Sequence, residues 1–188
     1  MSLVILDRDG VINFDSNDYI KSVDEWQPIP GSIEAIAQLS QAGMTIAVAT
    51  NQSGLSRGLF DLDDLEAMHQ KLRDLVNDAG GHVAGVFYCP HLPEDHCNCR
   101  KPLTGLVDAM EIELGVSAAG SILVGDSLKD LQLALAKDAQ PILVRTGKGT
   151  ITESKLRDGA LTDAQLKQIR VFPDLAAATS YILQAARF

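Results

Sequence analysis

Short runs of apolar, mostly β-branched residues alternate with longer amphipathic stretches, and this alternation constrains the fold more than any other feature. The first run, residues 3–6, contains no polar residue, as is typical of a parallel strand buried on both faces. Further candidate strands are residues 45–49, 83–88, 121–124, 141–144 and 169–172. Helical patterns lie between them at residues 32–42, 61–78, 106–114, 128–136 and 174–185. Repeated strand–helix units predict an α/β fold with a doubly wound, mainly parallel sheet.

Polar residues follow four of these strands, at the positions where open α/β sheets bind ligands. Asp7 and Asp9 come directly after the first strand, and on an extended chain they point to the same side. One carboxylate could bind Mg²⁺ and attack phosphorus, while the other, kept protonated, gives its proton to the leaving oxygen. This pair alone could equally be a solvated turn.

The next three clusters contain groups that suit a phosphate and its metal ion. Residues 50–54 offer a hydroxyl and backbone N–H groups on a tight turn. Arg100 and Lys101 supply two cations. Asp126 suits a second Mg²⁺ contact, and Asp130 would orient Lys101 or the metal site. Each cluster alone is more simply a turn, a solvated basic pair or a helix cap. Together, in this order, they favour a magnesium-dependent phosphatase.

All three cysteines of the chain lie within eleven residues, which favours a metal site over a disulfide framework. Cys89, His91, Cys97 and Cys99 would form a tetrahedral Cys₃His site for Zn²⁺. His96 is a competing ligand, and reduced cysteines in a loop are the simpler alternative. Four protein ligands leave no open position, so we expect a structural zinc that fixes the loop before Arg100 and Lys101.

These motifs carry a family resemblance. The four strand-end clusters resemble the motifs of the haloacid dehalogenase superfamily of phosphatases. The cysteine pattern, Arg100-Lys101-Pro102 and residues 7–13, 25–32 and 50–54 together resemble the D-glycero-D-manno-heptose 1,7-bisphosphate 7-phosphatases. Histidinol-phosphate phosphatases share part of this pattern. One departure is Ser127, because some relatives have lysine directly after the metal-binding aspartate.

The resemblance implies a Rossmann-like haloacid dehalogenase fold and a reaction through an aspartyl-phosphate. Asp7 would be the nucleophile, and Asp9 the general acid and then the general base. Thr50 and Lys101 would stabilise the transferring phosphoryl group. The Mg²⁺ ligands it implies are Asp7, the backbone carbonyl of Asp9, and Asp126, and all four cysteine-cluster positions match the family's zinc ligands.

The resemblance also implies a substrate site and a biological role. The enzyme would remove the C7 phosphate of the heptose bisphosphate during synthesis of the ADP-heptose precursor of lipopolysaccharide. Arg100 would contact the phosphate that is kept. The implied substrate-binding residues are Asp15, Ser16, Asn17, Asp18, Thr50, Asn51, Gln52, Ser53, Arg100 and Lys101.

The size and charge of the chain limit the remaining alternatives. We expect one domain, residues 1–188, without a separate cap domain, so that only loops such as residues 13–27 cover the site. A zinc-knuckle module that binds nucleic acid would need a positive surface, whereas the net charge is -9. No apolar run approaches the roughly 18 residues of a membrane span. We expect a cytoplasmic monomer whose partner is a small-molecule sugar bisphosphate, with no nucleic acid or membrane.

Overall fold

A six-stranded sheet lies at the centre of the molecule, and the computed structural model describes residues 2–186. Every neighbouring pair of strands is parallel. The strands are β1 (Leu3–Leu6), β2 (Thr45–Asn51), β3 (Gly85–Cys89), β4 (Ile122–Gly125), β5 (Gln140–Val144) and β6 (Arg170–Phe172). The predicted parallel α/β sheet is confirmed, with boundaries that differ from the expected ones by a few residues.

The strand order β3-β2-β1-β4-β5-β6 reverses direction at β1. The chain first builds outward from β1 through β2 to β3, then returns to pair β4 with the other edge of β1. Crevices at such reversals, beyond the carboxyl ends of the strands, are where open α/β sheets bind ligands. Residues that follow β1, β2 and β4 are therefore brought to one place.

Helices cover both faces of the sheet: α1 (Ser32–Gln41), α2 (Leu62–Asp78), α3 (Gly105–Leu114), α4 (Leu128–Ala136), α5 (Gly149–Arg157), α6 (Asp163–Leu166) and α7 (Leu175–Ala185). Side chains of β1 alternate between two cores. Val4 and Leu6 pack with apolar residues of α1, α2 and α7, whereas Leu3 and Ile5 pack with those of α3 and α4. The central strand is thus buried on both faces, which explains its wholly apolar sequence.

The two short helices α5 and α6 occupy a region whose sequence shows only weak amphipathic character. Helix α6 begins with a capping box between Thr162 and Gln165, and the apolar residues around it form a small third core with β5. Weak periodicity is expected here, because short helices bury little surface. None of the described helices is long and apolar enough to cross a bilayer.

The segment between β1 and α1 contains no strand or helix across residues 13–27, yet it is fixed at several points. Trp26 is fully buried in the core on the α1 side. The Nζ of Lys71, on α2, donates hydrogen bonds to the carbonyl oxygens of Val23 and Trp26 at 2.9 and 2.8 Å. We call residues 13–27 the substrate loop, after the role that the family resemblance leads us to expect. In residues 2–186 no second globular unit covers the end of the sheet, as expected for a fold without a cap domain.

Candidate active site

A cleft of about 780 Å³ opens at the carboxyl ends of β1, β2 and β4. It is bounded by the substrate loop on one side and by the starts of α4 and α5 on another. Of the residues proposed from the sequence, the cleft is lined by Asp7, Asp9, Asp15, Ser16, Asn17, Thr50, Asn51, Gln52, Ser53, Arg100, Lys101 and Asp126. Asp18 is exposed and does not line it.

Lys101 connects the first and fourth strand ends. Its Nζ lies 2.9 Å from Asp7 Oδ1 and 2.6 Å from Asp130 Oδ1, and it donates to the carbonyl oxygen of Ala49 at 2.8 Å. Burial by itself would lower the pKa of this lysine, but the Asp130 and Asp7 carboxylates raise it above its ordinary value. Lys101 is therefore a fixed, permanent positive charge beside Asp7.

Three carboxylates lie around the positive charge of Lys101. Ligand oxygens of Asp7, Asp126 and Asp130 all lie within 4.8 Å of one another. Burial, with the neighbouring Asp130 carboxylate, raises the pKa of Asp7 well above its usual range and that of Asp126 to about 7. One lysine leaves an excess of negative charge in a buried cluster, so these residues fit a divalent cation.

Asp7 and Asp126 are better placed than Asp130 to hold that cation. Both oxygens of Asp130 are already engaged, because Oδ1 pairs with Lys101 and Oδ2 accepts hydrogen bonds from the Ser127 amide and hydroxyl at 3.1 and 2.6 Å. The carbonyl oxygen of Asp9 accepts no hydrogen bond from the described residues. A Mg²⁺ ion needs a few such oxygens, with water and phosphate completing its shell.

The backbone approaches Asp126 so closely at two positions that only glycine fits there. A Cβ at Gly10 or at Gly147 would overlap Asp126 Oδ2, and both residues have positive φ, at +85° and +55°. The same oxygen accepts a hydrogen bond from the Lys148 amide at 2.7 Å. The loop after β5, which was not among the candidates from the sequence, therefore holds Asp126 in position. Its position after a strand, with two glycines, is the signal that could have identified it.

Asp9 is held away from the acidic cluster by three donors. Arg8 contacts both of its oxygens at 3.0 Å, and the side-chain amides of Asn13 and Gln52 donate to it at 2.7 and 2.8 Å. Burial raises the pKa of Asp9, but the Arg8 guanidinium and these amides outweigh it and hold the pKa below its ordinary value. The carboxyl group is therefore ionised at neutral pH in the structure described, whereas a general acid must be protonated.

The end of β2 is fixed to the loop that carries Lys101. Asn51 Oδ1 accepts from the Lys101 amide at 3.0 Å, and Asn51 Nδ2 donates to the Lys101 carbonyl oxygen at 3.3 Å. Gln52 Nε2 also donates to Thr50 Oγ1 at 2.9 Å. Asn51 thus orients Lys101, while the Thr50 hydroxyl lies at the cleft beside Gln52, which also contacts Asp9.

The cysteine cluster is assembled on the same loop, between β3 and α3. Sulfur and Nδ1 atoms of the four residues Cys89, His91, Cys97 and Cys99 all lie within 4.8 Å of one another. Neighbouring pairs are separated by 3.1 to 3.7 Å. Tetrahedral ligands at about 2.3 Å from a zinc ion lie roughly 3.8 Å apart, so the spacing fits. His96 is exposed and outside the cluster, which favours His91 as the fourth ligand.

The cleft also includes cationic residues that the sequence did not indicate: Lys129, Lys148 and Lys155. Lys148 pairs with Asp15 of the substrate loop at 3.1 Å. Lys129 comes from the first turn of α4, Lys148 from the residue before α5 and Lys155 from the last turn of α5, and the strand order brings all three beside the cleft. Their positions in the sequence are ordinary for exposed helix residues, so no local signal marks them.

Comparison with known proteins supports the same interpretation. A family model described as HAD-hydrolase-like matches residues 98–178. The D-glycero-β-D-manno-heptose-1,7-bisphosphate 7-phosphatase of Pseudomonas aeruginosa is 56% identical over 97% of this chain and 98% of its own length. The protein of the same name from Pseudomonas putida is 53% identical over 94% of this chain and 97% of its own.

One solved structure is similar to this chain in both sequence and fold. The D,D-heptose 1,7-bisphosphate phosphatase of Bordetella bronchiseptica, crystallised with magnesium and phosphate, is 48% identical. The match covers 98% of this chain and 99% of that one, with a TM-score of 0.90. The resemblance inferred from the motifs is confirmed, and the chain belongs to the family of D-glycero-β-D-manno-heptose-1,7-bisphosphate 7-phosphatases, within the haloacid dehalogenase-like hydrolases.

Proposed function

We propose that this protein is a magnesium-dependent phosphatase that removes the C7 phosphate of D-glycero-β-D-manno-heptose 1,7-bisphosphate and leaves the 1-phosphate. The observation that carries the proposal is the contact between Asp7 and Lys101 beside Asp126 in one cleft. The names of the Pseudomonas relatives supply the substrate and the β-anomer. The product belongs in the synthesis of the ADP-heptose precursor of lipopolysaccharide.

Asp7 is the nucleophile of this proposal. Its carboxylate oxygen forms a bond to phosphorus while the bond between phosphorus and the C7 oxygen breaks, which leaves an aspartyl-phosphate. A water molecule then attacks that phosphorus and releases inorganic phosphate and the Asp7 carboxylate. Lys101, with Thr50, stabilises the negative charge of the phosphoryl group in both steps. Asp7, Asp126 and the Asp9 carbonyl oxygen would hold Mg²⁺, which when bound offsets the charge of the phosphate.

Asp9 moves the protons. It gives one to the C7 oxygen as that oxygen leaves, and later takes one from the attacking water. Because Asp9 is ionised against Arg8 when no substrate is bound, it must first gain a proton. The negative charge of an arriving phosphate raises the pKa of a nearby carboxyl group, so substrate binding itself supports the change. The exposed fraction of the Asp9 side chain, 21%, leaves it accessible from the cleft.

The sugar and the zinc site complete the proposal. Asp15, Ser16 and Asn17 would contact the sugar from the substrate loop, and Asn51, Gln52 and Ser53 would do so from the turn after β2. Asp18 remains a weaker candidate, because it lies outside the cleft. Cys89, His91, Cys97 and Cys99 would hold a structural Zn²⁺ that fixes the loop carrying Arg100 and Lys101. We also propose that residues 1–188 form one domain and act as a monomer.

The alternative of a non-enzymatic zinc module is less well supported. The cysteine cluster belongs to the loop that delivers Lys101 to Asp7, so it serves the cleft rather than a separate binding surface. Histidinol-phosphate phosphatase is the enzymatic alternative. Its substrate differs in charge from the heptose bisphosphate, because histidinol phosphate carries one phosphate and a cationic amine.

The test combines a nucleophile variant with a substrate comparison. Asp7→Asn should reduce kcat/KM on the heptose 1,7-bisphosphate by about 10⁴-fold or more, because no other carboxylate can form the intermediate. Asp138→Asn removes a carboxylate from the surface, at a residue with φ of 52° that asparagine tolerates, and should be as active as the wild type. Wild-type kcat/KM should be higher on the heptose bisphosphate than on histidinol phosphate. Turnover by Asp7→Asn, or a preference for histidinol phosphate, would contradict the proposal.

A further inference from the structure

Three cations that line the cleft, Arg100, Lys129 and Lys155, form no ion pair with the described residues. Lys129 forms no ion pair or hydrogen bond with the described residues, although it lines the same cleft as Asp7 and Lys101. Arg100 forms no ion pair within residues 2–186, and its guanidinium donates only to the His91 carbonyl oxygen, at 3.2 Å. By contrast, Lys101 and Lys148 are each paired with a carboxylate.

The positive charges of Arg100 and Lys129 act on each other. Lys129 is exposed, but partial desolvation lowers its pKa, the positive charges of Arg100 and Lys148 lower it further, and the Asp130 carboxylate opposes them. Like charges gathered at one cleft favour the binding of an anion there. Lys155, in the last turn of α5, also lines the cleft, but it is not among the main charges that shift the pKa of Lys129. The electrostatic group is therefore Lys129, Arg100 and Lys148.

Ser127 is not available to bind an anion in the cleft. Its hydroxyl donates to Asp130 Oδ2 at 2.6 Å and its amide to the same oxygen at 3.1 Å, so both are used to begin helix α4. Any cation that α4 offers to a ligand in the cleft must come from the following residues. Lys129 is the second residue of α4 and lies three positions after Asp126 in the sequence.

We propose that Lys129, together with Arg100, binds the phosphate that stays on the substrate, and that Lys129 thereby sets the preference for a sugar bisphosphate over a monophosphate. The inference rests on the proposed function, since it concerns the second phosphate of that substrate. Both side chains are suited to a phosphate, because Arg100 offers a planar fork of donors and Lys129 a compact point charge. Lys101 and the acidic cluster remain committed to the phosphate that reacts.

The test compares two substrates that differ only in the C1 phosphate, heptose 1,7-bisphosphate and heptose 7-phosphate. Lys129→Gln should lower kcat/KM on the bisphosphate by at least about tenfold, mainly through KM, as expected for loss of one charged hydrogen bond. On the 7-phosphate, kcat/KM should change by less than about twofold, because the charged contact is absent there. Lys129→Arg should largely restore the preference. Lys167→Gln removes an exposed positive charge outside the cleft and is the control for net charge.

The outcomes separate this inference from the function on which it rests. A wild-type protein that does not prefer the bisphosphate contradicts the proposed function, and the role of Lys129 with it. A wild-type preference that survives in Lys129→Gln contradicts the role of Lys129 alone. Equal losses on both substrates also contradict it, because they would mean that Lys129 serves the fold or the reacting phosphate.

Discussion

Arg8 is a fully buried charge whose position depends on two neighbours. Its guanidinium pairs with Asp9, and its NH1 group lies 3.3 Å from Nε2 of His69 on α2. Burial, followed by the positive charges of Arg8 and Arg73, lowers the pKa of His69 to about 3. The histidine is therefore neutral at physiological pH and can accept a hydrogen bond from Arg8. A charged histidine at this position would repel the arginine that holds Asp9.

This arrangement predicts that His69 makes the fold sensitive to acid. Between pH 6.5, the ordinary histidine pKa, and about 3, the unfolded chain binds a proton that the folded protein does not. The contribution of His69 to stability is therefore complete above pH 6.5 and falls as the pH decreases, by about 1.4 kcal/mol per pH unit. From pH 7 to pH 5, His69→Gln should lose about 2 kcal/mol less free energy of unfolding than the wild type.

Urea unfolding at the two pH values measures this difference. His82→Gln changes an exposed histidine and is the control, expected to keep the pH dependence of the wild type. If His69→Gln also loses stability as steeply as the wild type, another group is responsible for the acid sensitivity.

The loop between β3 and α3 links the cysteine cluster to Lys101, the proposed catalytic cation. Arg100 donates to the carbonyl oxygen of the proposed ligand His91, and the Lys101 backbone is paired with Asn51 in both directions. The loop also packs tightly, because a Cβ at Gly105 would lie only 2.6 Å from the Asn98 carbonyl oxygen. A disturbance of the cluster should therefore displace Lys101 without reaching the sheet.

Loss of the proposed zinc should reduce activity while the fold survives. Cys97→Ser should lower the zinc content and decrease kcat/KM by roughly 10- to 100-fold, the range found when residues that support a site are removed. Far-UV circular dichroism should stay unchanged. Metal analysis and steady-state kinetics in saturating Mg²⁺ measure the two effects, and Cys97→Ala is the matched control for removal of the thiol without a hydroxyl. A zinc-free variant with full activity would contradict the role of the ion.

The whole molecule is organised around one continuous sheet, whose central strand contributes to both large cores. No described part of the chain has a core that is independent of this sheet. Loss of packing on one face exposes β1 and its neighbours, so the other face loses its support as well. This is the physical reason for proposing a single domain.

A single domain predicts one cooperative unfolding transition. Trp26 is the only tryptophan and is fully buried in the core on the α1 side, so its fluorescence reports on that core and the substrate loop. Far-UV circular dichroism reports on all the helices. The two signals should give the same urea midpoint within error. A fluorescence change that clearly precedes the loss of helix would contradict the single-domain proposal.

The sequence by itself determined most of the secondary structure, apart from α5 and α6, and the chemical character of the site. Strand and helix periodicities are local properties, so β1 and α2 could be recognised from the wholly apolar residues 3–6 and from the amphipathic pattern of residues 61–78. The strand-end positions of Asp7, Thr50 and Asp126 could be predicted for the same reason, although β2 extends two residues further than expected and includes Thr50. The cysteine spacing likewise indicated a metal cluster.

Only the tertiary structure decided which of these side chains lie together in the cleft and which other residues contact them. Pairing β4 with the free edge of β1 brings Asp126, Ser127 and Lys129 to a cleft that begins at Asp7, more than a hundred residues earlier. The contact between Arg8 and His69 spans 61 positions, and it positions the arginine that keeps Asp9 ionised. Such contacts depend on strand order and helix packing, because residues far apart in sequence have no shared periodicity that marks them as neighbours.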